Sequence, residues 1–159
     1  MPFELRAFIA AKKTLDAVAG GLRGARVTEL AHGLALLPLT ASLEAEFGRG
    51  KEPAPFKGLR LSAGLAEWAR KASESGPIAY VEADYGPGRD FQAGATWSAG
   101  ALSTGPLLDK TAWDPREPAM LERPINTVLR ALGVAAQGYG DEWDAVALAR
   151  HSRTEDWAK

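Results

Sequence analysis

Segments with strand periodicity and segments with helix periodicity alternate along the first half of the chain. Apolar and polar side chains alternate from residue 3 to residue 9, which is the pattern of a half-buried strand. The apolar run over residues 34–39 is typical of a strand that is covered on both faces. Apolar residues at helical spacing predict a helix over residues 62–73. The other predicted elements are a strand over residues 25–30, a helix or turn over residues 15–22, and a helix over residues 41–47 that Thr40 can cap.

The second half of the chain predicts an antiparallel meander followed by two helices. Turns that contain glycine separate three predicted strands, which cover residues 78–85, 91–97 and 101–107. Residues 109–122 contain two prolines and many charges, which favour a surface loop. Pro124 suits the first turn of a helix that continues to Leu132 with apolar residues at helical spacing. A last helix is predicted from Asp141 to about Arg150.

Length and composition fit one globular unit. The chain has 159 residues, of which 46% are hydrophobic and 25% charged, and both fractions are close to the average of globular proteins. The order of the elements predicts a single α+β domain over residues 1–159, with a mainly antiparallel sheet, a C-terminal meander and about four packing helices. Because the sequence contains no cysteine and only two histidines, disulfides, thiolate catalysis and a three-histidine metal site within one chain are excluded.

The charge balance and the apolar runs argue against a nucleic-acid or membrane partner. The net charge is −1, whereas nucleic-acid-binding proteins usually carry a basic face. The longest apolar run has six residues, far short of the ~20 needed to cross a bilayer. The start of the sequence lacks the pattern of a secretory signal, so we expect a cytoplasmic protein. The second half carries 8 basic and 12 acidic residues, which indicates an acidic surface that could meet a basic partner.

Two carboxylates on the predicted strand over residues 78–85 are the first candidate site. Because side chains alternate along a strand, Glu82 and Asp84 are expected on the same face, roughly 7 Å apart. Such a pair could hold a hard cation, serve in general acid–base catalysis, or form part of a binding surface. The simplest interpretation, which we favour, is a polar strand end in contact with water.

The last segment concentrates acids, one imidazole and two indoles. Asp141, Glu142 and Asp144 begin the predicted last helix. His151 and Glu155 would be neighbours if that helix continued, and a histidine beside a carboxylate can act as a base. A surface ion pair explains the same two residues, and we favour it because no complete catalytic motif accompanies them.

Several segments resemble an uncharacterised group of small bacterial proteins. The resemblance is carried by residues 29–40, by PIAYVEADY over residues 77–85 with Gln92, and by DEWDA over residues 141–145, followed by Arg150 and His151. The sequence departs from the group at residues 86–88, where Gly-Pro-Gly replaces an aromatic residue followed by two glycines. No activity comes with the resemblance. Some small bacterial proteins of this general appearance are immunity partners that block a toxin, and a role of that kind is an analogy at the level of the fold alone.

The sequence as a whole predicts a non-enzymatic cytoplasmic protein that binds another protein, with a toxin-neutralising immunity partner as the specific form. The partner is expected to be basic, no cofactor is expected, and the oligomeric state stays open. The alternative is a small metal-assisted hydrolase in which Glu82 and Asp84 hold the metal ion, His151 is the base and Arg150 holds an anion. The predicted binding residues are Glu82, Asp84, Tyr85, Arg89, Asp90, Gln92, Asp141, Glu142, Asp144 and Trp157.

Overall fold

The protein is built on one antiparallel sheet of six strands. The structure, a computed structural model, describes residues 2–47, 54–109 and 123–159. The last three strands in the chain are also neighbours in the sheet, so the predicted meander and the α+β fold class are confirmed. In the order β2-β3-β1-β4-β5-β6, the strands are β1 (Phe3–Ala11), β2 (Thr28–Glu29), β3 (Leu34–Pro38), β4 (Ile78–Gly86), β5 (Arg89–Ser98) and β6 (Ala101–Asp109).

Helices cover the sheet, and their starts follow the expected capping chemistry. The hydroxyl of Thr40 accepts a hydrogen bond from the backbone of Leu43, and the hydroxyl of Ser62 accepts one from Leu65. None of the helices in the described ranges is long and apolar enough to cross a membrane. The α-helices are α1 (Lys12–Ala19), α2 (Ala41–Glu46), α3 (Ala63–Ala72), α4 (Pro124–Ala131) and α5 (Glu142–Ala145), and 3₁₀ turns cover Ser73–Ser75, Leu148–Arg150 and Thr154–Ala158.

The central strands β1 and β4 are buried on both faces, so the sheet separates two hydrophobic cores. On the front face, Phe8 of β1 and Tyr80 of β4 pack against side chains of α1, α2 and α3. On the back face, Ile9 and Val81 pack against α4, α5 and Trp157. Since each fully buried large apolar side chain contributes about 1.5–3 kcal/mol, both cores are needed for stability. The two faces also offer two separate places for a site.

Two predicted elements were wrong in extent. The strand predicted over residues 25–30 is reduced to the two residues of β2, Thr28–Glu29. The last helix ends after Ala145, because Ala147 takes a left-handed conformation with φ +56° and the chain cannot continue as an α-helix. His151 and Glu155 therefore do not lie on one helix. Of the loop predicted over residues 109–122, only Asp109 is among the described residues, and it ends β6.

Candidate binding site

The register of the sheet divides the predicted site residues between its two faces. Glu82 and Asp84 lie on the front face, in line with Tyr80 of the front core. Gln92 is paired with Ala83 of the back core and lies on the back face. The structure therefore confirms that the two carboxylates share a face. It does not bring them together with the acids of the last segment, which pack behind the sheet.

Glu82 is the centre of a buried polar cluster on the front face. The residue is only 1% exposed. Its Oε1 accepts hydrogen bonds from the Tyr80 hydroxyl at 2.5 Å and from the Arg60 backbone N–H at 2.9 Å. Its Oε2 accepts a hydrogen bond from Nε of Arg60 at 3.2 Å. Both carboxylate oxygens are thus occupied by protein donors, and the prediction of a polar strand end in water is wrong for this residue.

The surrounding side chains extend this network to other parts of the chain. Arg6 donates to the backbone carbonyl of Arg60 and forms a salt bridge with Glu44 of α2. Glu4 lies 3.8 Å from Nη2 of Arg60 and accepts a hydrogen bond from Thr154 at 2.9 Å. We call Glu4, Arg6, Glu44, Arg60, Tyr80 and Glu82 the Glu82 cluster. It ties the segment before α3 and the C-terminal segment to β1 and β4.

The electrostatics of the Glu82 cluster keep Tyr80 protonated. Burial raises the pKa of the Tyr80 hydroxyl well above its usual value, and the neighbouring Glu82 carboxylate raises this pKa further. Arg6 acts in the opposite direction and lowers the pKa of Tyr80, but its effect is smaller. A protonated phenol can donate to Glu82, which agrees with the hydrogen bond between them. The hydrogen bonds of Tyr80 and Glu82 are therefore made within the protein, and they serve the fold.

The residues of the predicted hydrolase do not converge. Asp84 forms a salt bridge with Arg89 at 3.1 Å, while Glu82 is held by its own donors on the front face. His151 packs edge-on against Trp157, with ring centroids 4.8 Å apart, and the guanidinium of Arg150 covers the same ring. Trp157 belongs to the back core. Within the described ranges, the structure contains no group of three or more His, Cys, Asp or Glu residues that could hold a metal ion.

Of the predicted binding residues in the C-terminal segment, two are buried and cannot contact a partner directly. Trp157 is 2% exposed, so its prediction as contact area is wrong. Glu142 is also buried, and its Oε1 lies 3.3 Å from Nε of Arg130 on α4. Both residues stabilise the packing of the C-terminal segment on the back face.

A cavity on the back face brings five of the predicted binding residues together. Its volume is about 400 Å³, and it lies where β4 and β5 meet α4 and α5. Sequence reasoning missed three of its residues, Arg123, Asn126 and Trp143. We call this site the acidic cavity; its lining residues are Tyr85, Asp90, Gln92, Arg123, Asn126, Asp141, Trp143 and Asp144.

Gln92 joins the sheet side of the acidic cavity to α4. Its side-chain carbonyl accepts a hydrogen bond from the backbone N–H of Ile125 at 3.1 Å, and its amide donates to the hydroxyl of Tyr85. Burial is the main cause that raises the pKa of the Tyr85 hydroxyl above its usual value. Tyr85 is therefore a neutral ring with a fixed orientation in the cavity wall.

Asn126 holds the helix side of the acidic cavity. Its amide donates to Oδ2 of Asp141 at 3.1 Å, and its carbonyl accepts from the backbone N–H of Trp143 at 2.9 Å. Oδ1 of Asp141 accepts from the backbone N–H of Asp144 at 2.9 Å, so Asp141 caps α5 as its position predicted. These bonds fix both Asp141 and Trp143 at the mouth of the cavity.

The charges of the acidic cavity are unevenly balanced. Arg123 is 7% exposed, and its guanidinium lies 2.6 Å from Asp90 and 3.6 Å from Asp109. Two carboxylates therefore offset the one cation of the cavity. Asp141 and Asp144 form no salt bridge with any residue in the described ranges, and Asp144 is exposed. A negative surplus remains on the side of the cavity formed by α5.

Three half-buried aromatic rings contact one another, and two of them, Tyr85 and Trp143, line the acidic cavity. The ring of Trp143 lies 6.3 Å from that of Tyr85 and 5.2 Å from that of Phe3, measured between centroids. The rings of Phe3 and Tyr85 are 5.9 Å apart. We call these three residues the aromatic patch. Carboxylates beside aromatic faces favour a cation, because both the charges and the ring quadrupoles attract it.

Comparisons with protein-family models, with curated proteins and with solved structures found no match. The resemblance to a group of small bacterial proteins therefore stays a prediction. The geometry of the acidic cavity is the observation from which a function can be inferred.

Proposed function

We propose that the protein acts by binding another protein, and that the acidic cavity accepts a positively charged side chain of this partner. The observation that carries the proposal is the pair of carboxylates, Asp141 and Asp144, next to the ring of Trp143. Neither carboxylate has a cationic partner among the described residues. A lysine or arginine of a partner would supply the missing positive charge and stack on the ring.

The aromatic patch supports a protein partner. Phe3, Tyr85 and Trp143 are each partly exposed and contact one another. Aromatic residues are enriched at the centres of protein interfaces, where a few of them carry most of the binding energy. The aromatic patch would supply the contact area that anchors the partner. The carboxylates of the acidic cavity would select a partner with a positively charged side chain.

The lining of the acidic cavity favours binding over catalysis. The lining residues that the structure describes include no serine, lysine or histidine. Of its carboxylates, Asp90 is held by Arg123, and Asp141 is held by Asn126 and the start of α5. The toxin-neutralising role stays a prediction, since a basic toxin and any other basic protein would engage these carboxylates in the same way.

A selection of random peptides tests this proposal. Displayed short peptides would be selected for binding to the wild-type protein, and we expect enrichment of lysine and arginine over the unselected library. Trp143→Ala should weaken the selected peptides at least about 30-fold, as expected for an aromatic anchor worth about 2 kcal/mol. Asp144→Asn should weaken them by a smaller factor.

The matched control is Asp16→Asn, which removes an exposed acid on α1 that is paired with Lys12. This control should leave peptide binding unchanged, and thermal melts should show that each variant is folded. Selected peptides without basic enrichment, or equal binding to the wild type and to Trp143→Ala, would contradict the proposal.

A further inference from the structure

A second cavity borders the aromatic patch and carries the opposite charge. Its volume is about 380 Å³. Phe3 lines this cavity, and the ring of Phe3 contacts Tyr85 and Trp143, which line the acidic cavity. The lining residues of the two cavities are therefore in contact. We call this site the basic cavity; its lining residues are Pro2, Phe3, Glu4, Arg89, Ser152 and Arg153.

The two arginines of the basic cavity are more exposed and have fewer partners than its one acid, Glu4. Arg153 is exposed and forms no salt bridge with any residue that the structure describes. Arg89 is more than half exposed, with Asp84 as its partner on the front side. Glu4 is engaged by Arg60, another member of the Glu82 cluster, and by Thr154. A positive surplus therefore remains in this cavity.

The backbone holds the two sides of the basic cavity together. The N–H of Glu4 donates to the carbonyl of Ser152 at 2.9 Å, and Glu4 forms a parallel β-bridge with Arg153. The hydroxyl of Thr154 accepts from the backbone N–H of Arg6 at 3.0 Å. The segment that carries Arg153 is thus bonded to β1, and its position relative to Phe3 is set by the fold.

The tip of the β4–β5 hairpin contributes to both cavities. Arg89 and Asp90 are successive residues of β5, so their side chains point to opposite faces of the sheet. Arg89 lines the basic cavity and Asp90 lines the acidic cavity. Both cavities therefore lie at the same end of the sheet, and residues of the aromatic patch line each of them.

We propose that the partner which places a cationic side chain in the acidic cavity also places a side-chain carboxylate in the basic cavity, and that the segment between them crosses the aromatic patch. This inference rests on the proposed function. Its basis is charge complementarity. A given segment that carries one cationic and one anionic side chain fits two adjacent cavities of opposite charge in only one chain direction. The reversed segment would bring like charges together, which disfavours it.

The peptide selection described above tests this inference through the spacing of charges. Peptides selected on the wild-type protein should contain an aspartate or glutamate at one preferred spacing from the lysine or arginine. Selection on the Arg153→Gln variant should keep the basic residue and lose the preferred acidic position. The control is Arg23→Gln, which changes an exposed arginine outside both cavities and should retain the wild-type pattern.

A double-mutant cycle with one selected peptide makes the test quantitative. Changing the acidic residue of that peptide to its amide should weaken binding to the wild-type protein about tenfold and should have little effect on binding to Arg153→Gln. Equal weakening on both proteins, or basic enrichment without a spaced acid, overturns this inference and leaves the proposed function intact. Absence of basic enrichment overturns the proposed function itself.

Discussion

The Glu82 cluster and the acidic cavity share several residue types and the strand β4, but they differ in how their charges are matched. Both contain an arginine, a tyrosine and several carboxylates. In the Glu82 cluster, the carboxylate of Glu82 accepts from Tyr80 and Arg60, and each of its oxygens is occupied. In the acidic cavity, Arg123 forms salt bridges with Asp90 and Asp109, and Asp144 is exposed without a salt bridge to any described residue.

The difference follows from the depth of burial. A carboxylate that is fully removed from water is strongly destabilising unless protein donors replace its hydration, so the burial of Glu82 requires its complete set of partners. Asp144 remains in water and needs no such partners. A fully bonded acid therefore indicates a role in stability, and an acid left in water beside aromatic rings indicates a place for a ligand.

The largest expected effect is on stability when Glu82 is replaced. Glu82→Ala removes three accepted hydrogen bonds and leaves the buried hydroxyl of Tyr80 without its acceptor. We expect the free energy of unfolding to fall by about 3 kcal/mol, measured by chemical denaturation. Arg60 is 50% exposed at its side chain and can regain water, which limits the loss.

Glu82→Gln is the control for this change. It retains a carbonyl acceptor and the volume of the side chain, so the loss should be roughly half as large. A loss below about 1 kcal/mol for Glu82→Ala would show that the Glu82 cluster contributes little to the fold.

The second expected effect is a loss of stability at alkaline pH. Because the folded protein raises the pKa of Tyr80 above the ordinary value of 10.0, the unfolded chain releases this proton first as the pH rises. The stability from Tyr80 is present below pH 10 and is lost above it, by at most about 1.4 kcal/mol per pH unit. Denaturation at a series of pH values measures this slope.

Tyr80→Phe separates this effect from other titrations. The variant has no phenol at this position, so its stability should fall less steeply above pH 10 than that of the wild type. The half-buried Tyr85 also has a raised pKa and should still contribute. Identical slopes in both proteins would contradict the assignment to Tyr80.

The smallest expected effects are in the acidic cavity and distinguish Asp141 from Asp144, neither of which forms a salt bridge with a described residue. Asp141→Ala removes the cap of α5 and the partner of Asn126, and we expect a loss of about 1 kcal/mol. Asp144→Asn should change the free energy of unfolding by less than about 0.5 kcal/mol, because the side chain is exposed. Thermal melts of the two variants measure the contrast. A large loss for Asp144→Asn would mean that this carboxylate stabilises the fold and is not reserved for a partner.

The sequence predicted the elements of the fold well where local chemistry is strong. The alternation along β1, the glycine turns of the meander and the start of α4 at Pro124 all appear in the structure. The end of α5 was missed, because a left-handed alanine at residue 147 has no signature in composition or spacing. Only tertiary contacts can stabilise that conformation.

The sequence by itself determined which side chains share a face, since side chains alternate along any strand. It therefore predicted correctly that Glu82 and Asp84 point the same way. The tertiary structure decided what each face meets: Arg60 reaches Glu82 across 22 positions, and Asn126 reaches Asp141 across 15. Periodicity is a property of the local backbone, whereas partners depend on strand register and on the path of the connecting segments. For this reason some acids lie in the buried Glu82 cluster and others line the acidic cavity. The spacing of these residues along the chain does not show this division.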